Sequence, residues 1–402
     1  MPLVSKTFSQ IITFTRASGG TYFDATGRLQ TATNDVPRFD YNPSTLAAQG
    51  LLIEESRTNL LTRSEEFNDA AWTKTNSSIT ANAATSPSGT VTADKLIEAL
   101  DVNLVHQTTQ SSVTIVSLGA YTASCYVKAD TRTRVRIGFL VAGTSGVTAD
   151  ANLTAGTITA ASAFGGGSAV GSSIQAINNG WYRITVSGTG AAGTSGECRL
   201  ELLDASGNRQ YNGDGTSGLF IWGAQLEAGA FPTSYIPTTT TALTRAADVA
   251  SVNTLSPWFN ASTGTLFTES QQLPGQTAAV FPRIAVIDDG STNNSILNLW
   301  RSDTSRLYGA VRVGAVDQAD VGTTGVTQTN VNKIGFAYAT NDFAASVNGG
   351  APSTDTLGAV PSGLTTLRIG RSSGTDFLNG YLRRITYYPR RLSNAELQAI
   401  TA

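Results

Sequence analysis

Sugar recognition needs flat apolar faces for C–H surfaces and amide or carboxylate groups for hydroxyls, and this chain offers both. Residues 63–236 hold Trp72, Trp181, Tyr182 and Trp222. Trp222 sits between Ile221 and Gly223 in an apolar run, and Trp181 follows a turn directly into a strand pattern. Both are expected in a core, where large aromatics dominate. Trp72, near Asn68, Asp69 and Lys74, is the better surface candidate. Further on, Trp258 and Phe259 follow Pro257, and Trp300 closes an apolar run ahead of Arg301, Asp303 and Tyr308. The carbohydrate-binding residues expected from these patterns are Trp72, Trp258, Trp300, Asp303 and Tyr308. Asp288, Asp289, Asn293, Asn294, Asn341 and Asp342 would furnish a polar rim, or else are turn residues satisfied by their own backbone.

Catalytic patterns are poorer. A glycosidase needs two carboxyl groups about 5 to 9.5 Å apart, whereas Glu54-Glu55 and Glu65-Glu66 are adjacent pairs whose side chains diverge on a strand. The Glu-x-Asp-x-x-Glu strand of jelly-roll glucanases is absent. The single histidine, His106, has no serine-elbow motif beside it and is expected as a satisfied surface or edge-strand residue. One histidine and two cysteines exclude His-cluster and Cys-rich zinc sites. Cys125 and Cys198 are expected as small buried thiols. Asp288-Asp289-Gly290 is an oxygen-rich loop suited to a hard cation, without EF-hand spacing. No enzyme is expected.

The elements that would position these groups follow from composition. A chain of 402 residues suits two or three domains. Charged residues make up 14% against about 25% in an average soluble domain, and Thr, Ser, Ala, Asn and 40 Gly fill the difference. Such a composition favours short strands and tight turns. The net charge of −2 gives no basic field for nucleic acid or an anionic membrane. No apolar stretch approaches the ~18 residues that a membrane span requires, and the start lacks a secretory pattern, so assembly in a cytoplasm is expected.

Residues 1–62 contain short apolar runs broken by turn formers, and Val36–Pro43 carries two prolines, which suits an edge strand or an extended arm. Residues 63–236 show eight to ten short alternating runs, among them Tyr121–Lys128, Arg134–Val141, Tyr182–Gly188 and Leu219–Leu226, as in an antiparallel sandwich. Residues 237–255, with their threonine run, are expected as a linker. Strand patterns resume over 256–402, for example at Arg283–Asp288, Asn332–Ala339 and Gly380–Tyr388. Ser393-Asn394-Ala395-Glu396 is a capping box with Leu392 placed to staple Leu397. The fold class expected is all-β: an N-terminal extended arm, two β-sandwich (jelly-roll) domains and a short C-terminal helix.

Three stretches carry a family resemblance: Phe14-Thr15-Arg16-Ala17-Ser18 through Val36-Pro37-Arg38-Phe39-Asp40-Tyr41; Gly50-Leu51-Leu52-Ile53-Glu54-Glu55-Ser56-Arg57-Thr58-Asn59-Leu60-Leu61; and Gly218–Glu227 followed by Phe231–Pro237. Together they resemble tailed-bacteriophage head spike, head fibre or tail fibre proteins. Residues 63–236 are similar to carbohydrate-binding-module sandwiches, and 256–402 resemble a concanavalin A-like or laminin-G-like domain. The resemblance implies a virion-surface adhesin, a homo-oligomer and by analogy a trimer, held to a capsid or tail protein through residues 1–62 and binding host surface polysaccharide. The alternatives are a decoration protein without ligand or, third, a depolymerase. Similar sandwiches hold a structural calcium between first and last strands, which implies Glu65 or Glu66 with Glu227, and Asp288 and Asp289 in the later domain. Calcium is the one cofactor this allows for.

Overall fold

The computed structural model describes residues 6–276, 280–374 and 376–402, the side chain of Val170 excepted. Every strand pairing is antiparallel, and the α-helices among the described residues are Phe8–Ile11 and Asn394–Thr401. The all-β reading with a short terminal helix holds. That last helix has the expected capping box, with the Ser393 amide donating to Glu396 at 2.7 Å. Leu392 and Leu397 are buried together against Ala337 and Ala344.

The middle sandwich consists of two six-stranded sheets. One runs in the order Thr157–Phe164, Ser145–Asn152, Arg134–Val141, Ser195–Leu203, Gln107–Thr114, Thr73–Thr75. The other runs Ser168–Ala176, Trp181–Thr189, Ala120–Lys128, Gly218–Ala228, Val91–Glu98, Ser77–Thr85. Side-chain alternation sends Ala123, Cys125, Val127, Ile184 and Val186 between the sheets, with Ile137, Phe139 and Leu200 from the other side. On the opposite face of the second sheet, Tyr126, Trp181 and Trp222 are buried as well. A hairpin of Gly20–Phe23 and Leu29–Ala32 covers them, with Phe23, Leu29 and Tyr235 in the same cluster. The face that a free-standing sandwich would show to solvent is thus occupied from within the chain.

Two seven-stranded sheets build the C-terminal sandwich, and both use residues from far upstream. Thr13–Thr15 pairs with Val249–Val252, which continues through Thr366–Ile369 and Arg283–Asp288 to Ser295–Arg301, Arg306–Val313 and Val316–Thr323. In the facing sheet Phe39–Tyr41 and Ala48–Ile53 extend Gly380–Tyr388, Thr263–Gln272 and Asn332–Ala339. Phe14, Leu51, Ile53, Ala250 and Val252 lie in one core with Leu266, Trp300 and Phe336. Thr13–Thr15, Phe39–Tyr41 and Ala48–Ile53 are therefore strands of the C-terminal sandwich, so residues 1–62 are not an extended arm. Residues 237–255, expected as a linker, supply Leu243–Arg245 and Val249–Val252 to sheets. The middle sandwich is an insertion into a sandwich whose first strands precede it. Phe39–Tyr41, flanked by Pro37 and Pro43, does form the edge strand its prolines allow.

A buried ion network joins the segments that flank the middle sandwich. Asp248 accepts Arg16 Nη1 at 3.1 Å and Arg38 Nη2 at 2.5 Å, and Arg38 Nη1 lies 2.8 Å from Glu54. Arg245 completes it, 3.5 Å from Glu54. None of these five side chains is more than 1% exposed. Ser234, from the segment leaving the middle sandwich, donates to Glu54 through its amide (2.8 Å) and hydroxyl (2.7 Å). Burial pushes the Glu54 carboxyl up, but Arg245, Arg38 and the Ser234 donors outweigh it and hold the group down at about 2. A carboxyl depressed on folding stabilises fully above its unfolded value of about 4.5 and loses that contribution as pH falls towards 2. Asp248→Asn leaves three guanidiniums facing one carboxylate and is expected to cost about 3–5 kcal/mol in urea unfolding at pH 7. A cost under about 1 kcal/mol, in the range of exposed pairs, would show that the network does not hold the fold.

Candidate functional site

Where the covered sheet of the middle sandwich meets the N-terminal hairpin and the C-terminal sandwich, a cleft of ≈ 340 Å³ remains. That volume is within the range of small-ligand pockets. One wall is the outward row of the strand Trp181–Thr189, where Ile184 and Val186 face the core and Arg183 and Thr185 face the cleft. Ser173 and Gln175 from Ser168–Ala176 stand at its exposed margin. The N-terminal segment brings Tyr22, Asp40 and Gln49, and the C-terminal sandwich brings Gln272 and Tyr381.

Three of these side chains have unusual surroundings. Arg183 is 9% exposed, its Nη2 donates to Ser124 Oγ at 2.9 Å, and its guanidinium lies 5.6 Å from the Tyr126 ring centroid. Its Nε has no hydrogen-bond partner. Gln272 is 1% exposed, and neither its amide oxygen nor its amide nitrogen has a partner. Asp40 accepts the Phe23 amide at 2.6 Å and the Tyr381 hydroxyl at 2.9 Å. Burial nonetheless raises its carboxyl to about 6, against the opposing pull of those donors and of Arg38. Guanidinium, carboxyl and phenol groups thus line one concave surface, an arrangement suited to a polyhydroxylated ligand. Sequence patterns single out none of them. Arg183 is legible only as the polar member of an alternating strand, and Gln272 carries no motif.

The residues singled out from sequence do not gather. Trp72 is 1% exposed, stacked on Phe67 at 4.7 Å with its Nε1 donating to the Arg63 carbonyl at 3.0 Å. Trp300 is fully buried in the C-terminal core. Both are core residues, because sandwich interiors need large apolar volume, and neither is a surface platform. Trp258 is half-buried against Phe259 and Tyr387, with Nε1 donating to the Thr254 carbonyl at 3.1 Å. Asp303 is exposed and paired with Arg301 at 3.0 Å. Tyr308 lies on the outer face of its sheet beside Val286, Leu297 and Leu299, under the Arg306 guanidinium at 4.4 Å. That face carries a second, smaller recess of ≈ 250 Å³.

The expected calcium ligands are engaged elsewhere. Glu227 is fully buried and accepts Gln225 Nε2 and both donors of Thr233. Glu65 accepts the Tyr235 hydroxyl at 3.1 Å and is raised by burial, while Glu66 pairs with Arg63. Asp288 binds Arg368 at 2.6 Å, and Asp289 is held at about 2 chiefly by the Ser291 hydroxyl and Asn294 within its own turn. Among the described residues no group of three or more His, Cys, Asp or Glu is placed to hold a metal. His106, expected at a surface or edge, is fully buried with Nδ1 2.8 Å from the Asn76 carbonyl and Nε2 3.4 Å from Asp101. Cys125 and Cys198 are free and buried in one core, and burial pushes the Cys198 thiol up to about 12.

The chain matches no protein-family model and no curated protein. Among solved structures it is similar to the Ruminococcus gnavus IT-sialidase CBM40, over 36% of this chain and 84% of that one, at 15% identity and a TM-score of 0.30. A native heptameric SAP-like pentraxin from Limulus polyphemus is similar over 37% of this chain and 79% of its own, at 13% identity and a TM-score of 0.29. Mouse laminin alpha1 domains LG4-5 are similar over 85% and 93% respectively, at 8% identity and a TM-score of 0.26. These likenesses are weak, and the cleft is described by its own geometry.

Because folding raises the Asp40 carboxyl, its ionisation opposes folding above about pH 6, and that cost disappears as pH falls towards its unfolded value of 3.8. Asp40→Asn is therefore expected to melt higher than the parent chain at pH 8 and at the same temperature at pH 4. Equal melting at both pH values, or a deficit at pH 8, would contradict the placement of this carboxyl.

Proposed function

We propose that this chain is a non-enzymatic glycan-binding protein of a virion surface, of the spike or fibre kind found on tailed bacteriophages, and that it serves adsorption to host surface polysaccharide. The observation that carries the reading is the cleft, lined by the rings of Tyr22 and Tyr126 and by Arg183, a buried guanidinium with no carboxylate partner among the described residues. A buried guanidinium without a counter-ion is costly unless something pairs with it, and a polar sugar can. In this reading the ligand is held between two bodies rather than on an aromatic platform. Adhesion would be weak per site and multiplied by copy number in an oligomer, with a trimer as the working assumption. Assembly in a bacterial cytoplasm and attachment to a capsid or tail protein belong to the same proposal. No catalytic step does.

A second reading has its own support. Trp72, Trp181, Trp222 and Trp300 are all buried, so a decoration protein without ligand would look similar outside the cleft. The test needs the full chain, since a fragment beginning at residue 63 would lack Phe14, Leu51 and Ile53 from the C-terminal core and Arg38 and Glu54 from the ion network. Fluorescently labelled full chain is expected to bind bacterial cells saturably and to be displaced by their extracted surface polysaccharide, with or without added calcium. Absence of saturable binding by folded protein across cell types would favour the decoration reading.

A further inference from the structure

Five arginines of the chain are less than 10% exposed: Arg16, Arg38, Arg57, Arg183 and Arg245. Four of them are neutralised in place. Arg16, Arg38 and Arg245 belong to the ion network, and Arg57 lies 2.6 Å from Glu55. Arg183 differs. Among the described residues it pairs with no carboxylate, and its partner is a serine hydroxyl; its Nε is unmatched, as are those of Arg38 and Arg245. A guanidinium withdrawn from water without a counter-ion is expensive, and this fold otherwise avoids it. The exception lines the cleft, and it is the cleft's one cation.

On the reading that the cleft binds a glycan, we infer that the glycan is acidic and that Arg183 receives its carboxylate. A guanidinium presents a planar fork that matches a carboxylate in a charge-assisted pair. The cleft also contains Asp40 and Glu54. With a single cation among two carboxyl groups, a singly charged planar anion is favoured over a sulfate-rich or phosphate-rich ligand, which needs several cations. Glu54 is already matched by Arg38 and Arg245 and leaves Arg183 free for the ligand.

The experiment uses the full chain on an array of neutral, uronic-acid, sialic-acid and sulfated oligosaccharides, followed by titration calorimetry with the strongest binder and its carboxyl-reduced alcohol. The expected result is binding to a carboxylate-bearing glycan that weakens at least about tenfold on carboxyl reduction and about tenfold in Arg183→Gln, with a melting temperature no lower than the parent's. Arg183→Lys keeps the charge without the fork and is expected to fall between; it supplies the answer if Arg183→Gln does not fold. Preference for neutral or sulfated glycans, or an acidic glycan bound equally by parent and variant, would overturn this inference and leave glycan binding standing. Binding to nothing on the array would overturn the glycan reading itself.

Discussion

Two carboxylates and three guanidiniums, all excluded from water, cannot be stable separately. Asp248 and Glu54 exist as buried anions only because Arg16, Arg38 and Arg245 surround them, and the reverse holds for the arginines. The five residues come from the segments before and after the middle sandwich. Satisfying the charges therefore forces the chain to return to its starting point once that sandwich is complete. Ser234, donating twice to Glu54, ties the exit of the inserted body to the same centre. Such networks are weak contributors to net stability against an apolar alternative, but costly to break from one side. Their value here is register: they specify which strands meet.

The architecture follows from that constraint. With Arg16 and Arg38 fixed, Thr13–Thr15 and Phe39–Tyr41 sit on opposite sheets of the C-terminal sandwich. The hairpin between them is laid across the aromatic face of the middle sandwich. Gly50 illustrates the tolerance: its φ is +106°, and a Cβ there would lie 2.4 Å from the Leu382 carbonyl oxygen, which leaves room for glycine alone. Covering the aromatic face removes the open platform a lone sandwich would offer. What remains for ligand is the gap where hairpin, sheet face and second sandwich do not quite close, lined by Arg183 and Asp40.

How much of this is legible in the sequence depends on burial. Arg134–Val141, Arg283–Asp288, Asn332–Ala339 and Gly380–Tyr388 coincide with strands read from alternation and turn chemistry. Ser77–Thr85 and Thr157–Phe164 give no such signal, since they are exposed strands of Ser, Thr and Ala with no apolar period. Thr13–Thr15 is too short to show a period at all, and its partner lies beyond the whole middle sandwich. The motifs that carry the family resemblance prove to be the junction itself, with Arg16, Arg38, Glu54 and Ser234 at its centre. In the sequence residues 1–62 suggest an arm, because short apolar runs broken by turn formers and prolines are too small to form a core of their own. Their burial is a tertiary fact. The same holds for the site: tryptophans are legible as large apolar surfaces, but which ones are covered depends on a hairpin packed from another part of the chain.

If the ion network makes the two sandwiches a single cooperative unit, they must lose structure together. Hydrogen exchange followed by mass spectrometry across a urea series tests this most directly, comparing the core strands Arg134–Val141 of the middle sandwich and Asn332–Ala339 of the C-terminal one. The account predicts that both strands lose protection at the same urea concentration. Loss of protection in one while the other stays closed would mean that the sandwiches are independent domains and that the buried charges do not bind them into one.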